Sequence, residues 1–363
     1  MEQIVVSEYR DKCVLCSDAI LNSFINLHNF PIKCIVEKGE PLYIWNMKLG
    51  SCETCGSVQQ MNLVNPNILY GKYPLDNTHS VLWNNHHENF SKFIKDNVQH
   101  QKPIIEIGSS SAVLVDKLIN DFNDYTIFDY SLVNAKKLPC LKYIEANCEN
   151  YIFPSKTVIV MSHVFEHLYN PKRFLANCEN SKVEDIIISI PNMNNQDLVT
   201  ISREHTFVYN SSDIEYLFNM YGYYLKKMTV YGDDFSIFYY FNRVISSPLQ
   251  NRILNPNRYL LTQKHFSKKY TVPNKTVIIS AGFWAQILYH NIINKENVIA
   301  ILDNDPMKQG YTFYNTQLII KPSSSLSQWD NDTTAVILGG RFWTEELAKI
   351  VRSYNTDIKI MYL

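Results

Sequence analysis

The chain has 363 residues, 46% hydrophobic and 19% charged, with a formal net charge of −1. That length predicts two to three domains with sizeable cores, and the balanced charge excludes the strongly basic surface of a nucleic-acid or membrane-surface binder. No run of about 18 apolar residues exists and the N-terminal MEQIVVSEYRDK lacks an apolar signal core, so the chain is expected to stay in the cytosol where it is made.

The first elements are cysteine knuckles. CVLC supplies Cys13 and Cys16, and CETC supplies Cys52 and Cys55. Disulfides are a poor reading in a reducing cytosol, whereas two C-x-x-C pairs offer four thiolates to one tetrahedral Zn²⁺. Iron is the alternative metal. Between the pairs, IKCIVEKG and LYIWNMKLG read as strands broken by Gly-containing turns. Four thiolates leave no coordination position open for chemistry, so the expected metal is structural. Cys34 has no partner at this spacing and reads as a core residue.

A loop then leads into a helix with Leu82, His86, Phe90 and Phe93 on one face. Of the adjacent His86 and His87, one is expected to pack and the other to be solvated. At residue 103 the pattern changes: KPIIEIG is an apolar strand, SSSA a turn, and VLVDKL the start of a helix. YTIFD, TVIVMS and DIIISIP follow as further strands, and YLFNMYGYYLKKMTVYGDDFSIFYYF gives a helix and two strands. This alternation predicts an α/β fold with a doubly wound, mostly parallel sheet. After an irregular stretch near 245, KTVIISAGFWAQILYHNII, NVIAILDNDPMKQG, TAVILGGRFWTEELAKIVRSY and IKIMYL predict a second, Rossmann-like α/β domain. Its first turn, SAGFWAQ, lacks the three glycines of a dinucleotide fingerprint. The expected division is 1–64 zinc-binding module, 65–245 doubly wound α/β domain with a leading linker helix, and 246–363 C-terminal Rossmann-like domain.

Two stretches carry candidate chemistry. Gly108 ends the strand IIEI where a bound group can approach the backbone, and Asp129, at the end of the next strand, stands where a ribose diol is usually held. Only one glycine is present where a nicotinamide dinucleotide would want three. Further on, SREHTFVYN places Glu204 beside His205, which alone reads as a surface loop.

In combination and in order, these segments resemble the zinc-containing sugar C-methyltransferases, which use S-adenosylmethionine to methylate a carbon of a nucleotide-linked keto-deoxysugar. CETCGSVQ is similar to the family's second knuckle, EIGSSSA to its cofactor turn, HVFEHLYNP to its segment after the core strand, SREHTFVYN to its Glu-His segment, and ILDNDPMKQG to its C-terminal turn. The resemblance implies a central class I methyltransferase domain, S-adenosylmethionine and a structural Zn²⁺. It implies a nucleotide-linked 4-keto-deoxysugar as partner, methylated at C3 or C5, and no nucleic acid or membrane. It makes His205 the candidate base, with Glu204, His167 and Tyr73 as further catalytic candidates and Tyr70 the neighbouring alternative to Tyr73. The cofactor would contact Glu106, Gly108, Ser109, Asp129, Ser162 and His163. The turn departs from the family's pattern by reading Gly-Ser-Ser-Ser-Ala, and Ser202-Arg203 replaces Tyr followed by His or Asp. O-methylation, a different activated sugar and a non-catalytic sugar-nucleotide-binding scaffold stay open as alternatives. So does the oligomeric state.

Overall fold

The computed structural model describes residues 2–3, 8–16, 19–32, 35–36, 43–70, 81–109, 112–122, 124–132, 138, 141–192, 201–232, 235–244, 266, 268–313, 316–337 and 344–363. The chain forms two compact units: Glu8–Ser23 with Leu49–Tyr259, and Met1–Ser7 with Phe24–Lys48 and Leu260–Leu363.

The larger unit opens with the knuckles and a short strand, β1 (Val58–Gln60), then the helix α1 (Val81–Asn97). Next come β2 (Ile104–Ile107), α2 (Val113–Leu118), β3 (Tyr125–Asp129), β4 (Lys142–Glu145), β5 (Val158–Ser162), α3 (Pro171–Asn180) and β6 (Asp185–Pro191). A two-residue strand β7 (Phe207–Val208), α4 (Ser211–Asn219) and the hairpin of β8 (Tyr223–Tyr231) and β9 (Ser236–Arg243) complete it. The seven-stranded sheet runs β4-β3-β2-β5-β6-β9-β8. Its first five strands are parallel and β9 is antiparallel to both neighbours. In this mixed α/β sheet the order of the strands along the chain, though not their direction, reverses between β2 and β5.

Why these runs form a two-sided sheet is visible in their alternation. Ile105, Ile107, Ile159, Met161, Ile186 and Ile188 face one core with α3 and α4. Ile104, Val158, Val160 and Ile187 face the other, under α1 and α2. Full burial of each such side chain contributes about 1.5–3 kcal/mol. The cysteines 13, 52 and 55 join the first core, so the knuckles pack on the sheet's own layer. Local signals set the helix starts. Asn170 caps α3 ahead of Pro171, and Asn210 with Asp213 forms a reciprocal capping box on α4. On α1, His86 is buried while its neighbour His87 is half-buried rather than solvated. The strand β4 and the long strand Leu21–Pro31 were not read from the sequence.

The smaller unit holds a five-stranded, all-parallel sheet. Its elements are β10 (Thr276–Ile279), α5 (Phe283–Asn291), β11 (Val298–Leu302), β12 (Ile320–Lys321), β13 (Thr334–Ile337), α6 (Thr344–Tyr354) and β14 (Lys359–Tyr362). The order is β12-β11-β10-β13-β14. No helix among the described residues is long and apolar enough to cross a membrane.

Candidate active site

The four knuckle sulfurs lie within 4.8 Å of one another, and Cys13 Sγ is 3.7 Å from Cys55 Sγ. A tetrahedron with metal–sulfur bonds of about 2.3 Å has edges of about 3.8 Å, so the spacing suits a Zn²⁺-sized ion. Gly56, at φ +69°, closes the second knuckle by donating its N–H to the Cys52 carbonyl at 2.8 Å. The Gln59 amide and the Cys16 N–H donate to Cys13 Sγ at 3.0 and 3.4 Å, as a thiolate would require. The Cys55 sulfur and burial push the Cys13 thiol up; a divalent cation reverses that sign.

The knuckles are tied to the Glu204–His205 segment. β1 leaves the second knuckle and pairs antiparallel with β7, Gln59 opposite Phe207 and Val58 opposite Val208. The Gln60 N–H donates to the Thr206 carbonyl at 3.0 Å, and its side-chain amide donates to the carbonyls of Ser202 and Arg203 at 2.8 and 3.1 Å. One residue thus clamps both flanks of Glu204–His205. Arg10, three residues before Cys13, donates to the Thr206 carbonyl at 3.0 Å and to the Tyr169 carbonyl.

At the other end of the cluster, β5 stops at Ser162 and His163 turns the chain through a left-handed conformation, φ +53°. The turn brings in a short 3-10 helix, Phe165–His167. The Thr206 N–H donates to the Glu166 carbonyl at 2.9 Å, stitching this turn to the Glu204–His205 segment. The result is a compact group: a Glu166 carboxylate oxygen and one ring nitrogen each of His167 and His205 lie within 4.8 Å of one another. The rings of His167 and His205 stack at 5.2 Å, and Tyr70 stacks with His167 at 6.2 Å. Burial lowers the pKa of His167 and raises those of Glu166 and of the Tyr70 hydroxyl. His163 packs beside the group, its Nδ1 3.3 Å from Glu166 Oε1 and its Nε2 2.9 Å from Ser236 Oγ. Burial pushes it well below the usual histidine range, so the ring is neutral.

The candidate cofactor residues line the carboxyl ends of β2, β3 and β5. Gly108 N–H donates to the Phe128 carbonyl at 2.9 Å, which sets Gly108 beside Asp129. Gly108 is exposed, at φ +83°, and a Cβ there would meet Val164 Cγ2 at 2.3 Å. Glycine is therefore demanded by Val164 and by the backbone turn, in addition to any approaching ligand. Asp129 is half-buried, and burial raises its carboxyl. The Ser162 hydroxyl is buried with no hydrogen-bond partner among the described residues. Glu106 lies inside the sheet, where the Tyr125 hydroxyl donates to it at 2.5 Å. Ser109 is buried at the end of the same segment.

The structure therefore brings together His167, His205 and Tyr70, and separately Gly108 and Asp129. Glu204 pairs with Arg203, whose Nε is 3.4 Å from Glu204 Oε1. Tyr73 lies outside the described residues, as do Ser110 and Ser111 of the turn. Sequence reasoning missed Glu166. Its signal was weak, an acidic residue before a histidine in a short turn.

No family model matches the sequence, and no curated protein matches it. Among solved structures, the chain is similar to the methyltransferase domain of bacterial CtHen1-C, at 18% identity over 45% of this chain and 98% of that one, TM-score 0.38. It is also similar to magnesium protoporphyrin IX methyltransferase (ChlM) from Synechocystis PCC 6803 with bound SAH, at 10% identity over 48% and 91%, TM-score 0.38. A third is the glycopeptide N-methyltransferase MtfA complexed with S-adenosyl-L-homocysteine, at 10% identity over 44% and 87%, TM-score 0.35.

Proposed function

We propose that the chain is an S-adenosylmethionine-dependent C-methyltransferase acting at C3 or C5 of a nucleotide-linked 4-keto-deoxysugar, with His205 as general base. The observation that carries this reading is the stacked His167–His205 pair beside the buried Glu166 carboxylate. A carbon next to a ketone gives up a proton only to a placed base, with donors meeting the oxygen that gains charge. His205 takes that proton on a ring nitrogen. The C–H electron pair stays on the substrate as an enolate, and His167, whose pKa burial lowers, would donate its N–H to the enolate oxygen. Tyr70, with its hydroxyl buried and without a partner among the described residues, is a second donor facing the same rings.

The carboxyl edge of the sheet supports the cofactor assignment. Asp129 would accept from the ribose hydroxyls, the exposed Gly108 backbone would admit the ligand, and Ser162 offers a hydroxyl that lacks a partner. Ser109, His163 and Glu106 would complete that wall. When bound, S-adenosylmethionine supplies an activated methyl group. The four-sulfur cluster supports a structural Zn²⁺ held by Cys13, Cys16, Cys52 and Cys55.

Deprotonation needs no methyl donor, so the reading is testable without turnover. With S-adenosylhomocysteine in place of the donor, wild-type protein should exchange the α-hydrogen of its keto-sugar with deuterated water. His205→Asn should lose this by about 10²–10⁴-fold while still binding both ligands. Exchange at the wild-type rate in His205→Asn would assign the base elsewhere.

A further inference from the structure

Glu204 sits next to His205 in sequence, yet Arg203 holds its carboxylate at 3.4 Å. A different carboxylate faces the imidazole. Glu166 Oε1 lies 4.0 Å from His205 Nε2, an ion-pair distance. Glu166 is completely buried, and neither of its oxygens has a hydrogen-bond partner among the described residues. A buried carboxylate without donors is costly, and the structure retains this one at the centre of three imidazoles.

The surroundings restrict what Glu166 can pair with. His163 lies between two groups, its Nε2 2.9 Å from Ser236 Oγ and its Nδ1 3.3 Å from Glu166 Oε1. That ring is neutral, so it supplies a dipole and no counter-charge. His167 shares the 3-10 turn with Glu166 and stacks on His205. Glu204, Tyr70 and Tyr209 are the other titratable groups whose charge reaches Glu166, and none of them supplies a positive charge. His205 comes from a different segment, pinned by the Thr206 N–H bond to the Glu166 carbonyl. His167 and His205 both act on the Glu166 carboxyl, His167 the more strongly, and His205 is the one that does so from a different segment.

We propose that Glu166, and not Glu204, is the positioning carboxylate of His205. It orients the ring with Nε2–H toward Oε1, so that Nδ1 carries the lone pair that takes the substrate proton. The carboxylate then faces the imidazolium it has helped to form, as the buried acid of a hydrolase triad does. His163 Nδ1 stands 3.3 Å from the same carboxylate oxygen. The proposal rests on the reading of His205 as base. The substrate C–H bond breaks, the proton goes to Nδ1, and the electron pair remains on the sugar.

The test uses the full-length protein with ¹⁵N-labelled histidine and no substrate. The His205 ring signals are identified by their absence in His205→Asn. In the wild type the neutral ring should carry its proton on Nε2, and that N–H signal should move in Glu166→Gln, whose neutral amide is a weaker acceptor. Glu204→Gln should leave it in place. Should Glu166→Gln fail to fold, Glu166→Asp keeps the charge and sets it one methylene further away, and the signal should move less. A neutral wild-type ring protonated on Nδ1, or an Nε2–H signal indifferent to Glu166→Gln, overturns the proposal. With the keto-sugar present, Glu166→Gln should slow α-hydrogen exchange by roughly 10–10²-fold at unchanged KM and move the acid limb of the rate profile to lower pH. A correct ring signal with no exchange in wild type would sink the base reading and leave the Glu166–His205 pairing standing.

Discussion

Glu106 shows what a single side chain at the sheet's centre does to the whole fold. Its carboxyl is buried, and burial pushes it from the ordinary 4.5 up to about 7, against the Tyr125 hydroxyl bond that holds it down. In the unfolded chain the same group titrates near the ordinary value. Between those two pH values the folded state holds more protons than the unfolded one, so stability falls as pH rises from about 4.5 to about 7. The shift corresponds to roughly 3 kcal/mol at neutral pH. Chemical denaturation at pH 5 and pH 8 should show wild type losing stability across that window, and Glu106→Gln should lose less of it. Equal losses in the two proteins would mean that Glu106 is ionised at low cost. At this scale the sequence marked Asp129 and His205 as candidates because each stands at a recognisable position, a strand end or a Glu-His pair. Glu166 was not legible. Its role depends on a long-range approach of two segments that no local pattern records. The need for Gly108 was legible, but its physical cause includes the Val164 side chain, which only packing shows.

The elements that matter most are short. β1 and β7 have three and two residues, yet their pairing joins the second knuckle to the Glu204–His205 segment. Gln60 reaches across a sequence separation of 142 residues to the Ser202 carbonyl. Metal binding by such a cluster is folding free energy, so its loss should be felt in β7. Protein purified without added metal should contain about one equivalent of Zn²⁺, and Cys52→Ser should lose it. In that variant, hydrogen exchange should accelerate at Gln60, whose N–H donates to the Thr206 carbonyl, while β5 and β6 stay protected. Full metal content in Cys52→Ser would rule out the four-cysteine site. Unchanged exchange at Gln60 would show that the knuckles do not brace the Glu204–His205 segment. The knuckles were legible from C-x-x-C spacing alone. The β1–β7 ladder was not, because two-residue strands have no periodicity to read.

Across the whole molecule, strand and helix alternation was enough to expect a mostly parallel sheet, since right-handed crossovers leave few alternatives for such a run. The strand order β4-β3-β2-β5-β6-β9-β8 was not legible, since alternation does not fix which strands are neighbours and β4 carries no clear apolar pattern. Which unit each part of the first 64 residues packs with was not legible. Residues 24–48 group with 260–363, and residues 8–23 group with 49–259, a division that no local sequence pattern records. The central claim is methyl transfer to carbon by way of His205. Its most direct test incubates the protein with trideuteromethyl S-adenosylmethionine and a panel of nucleotide-linked 4-keto-deoxysugars, then reads the products by mass spectrometry and carbon NMR. A trideuteromethyl group on C3 or C5 of one sugar, lost in His205→Asn and weakened in Asp129→Ala, is the predicted result. Label on oxygen, label undiminished in His205→Asn, or no label on any sugar by a protein that binds the donor would contradict it.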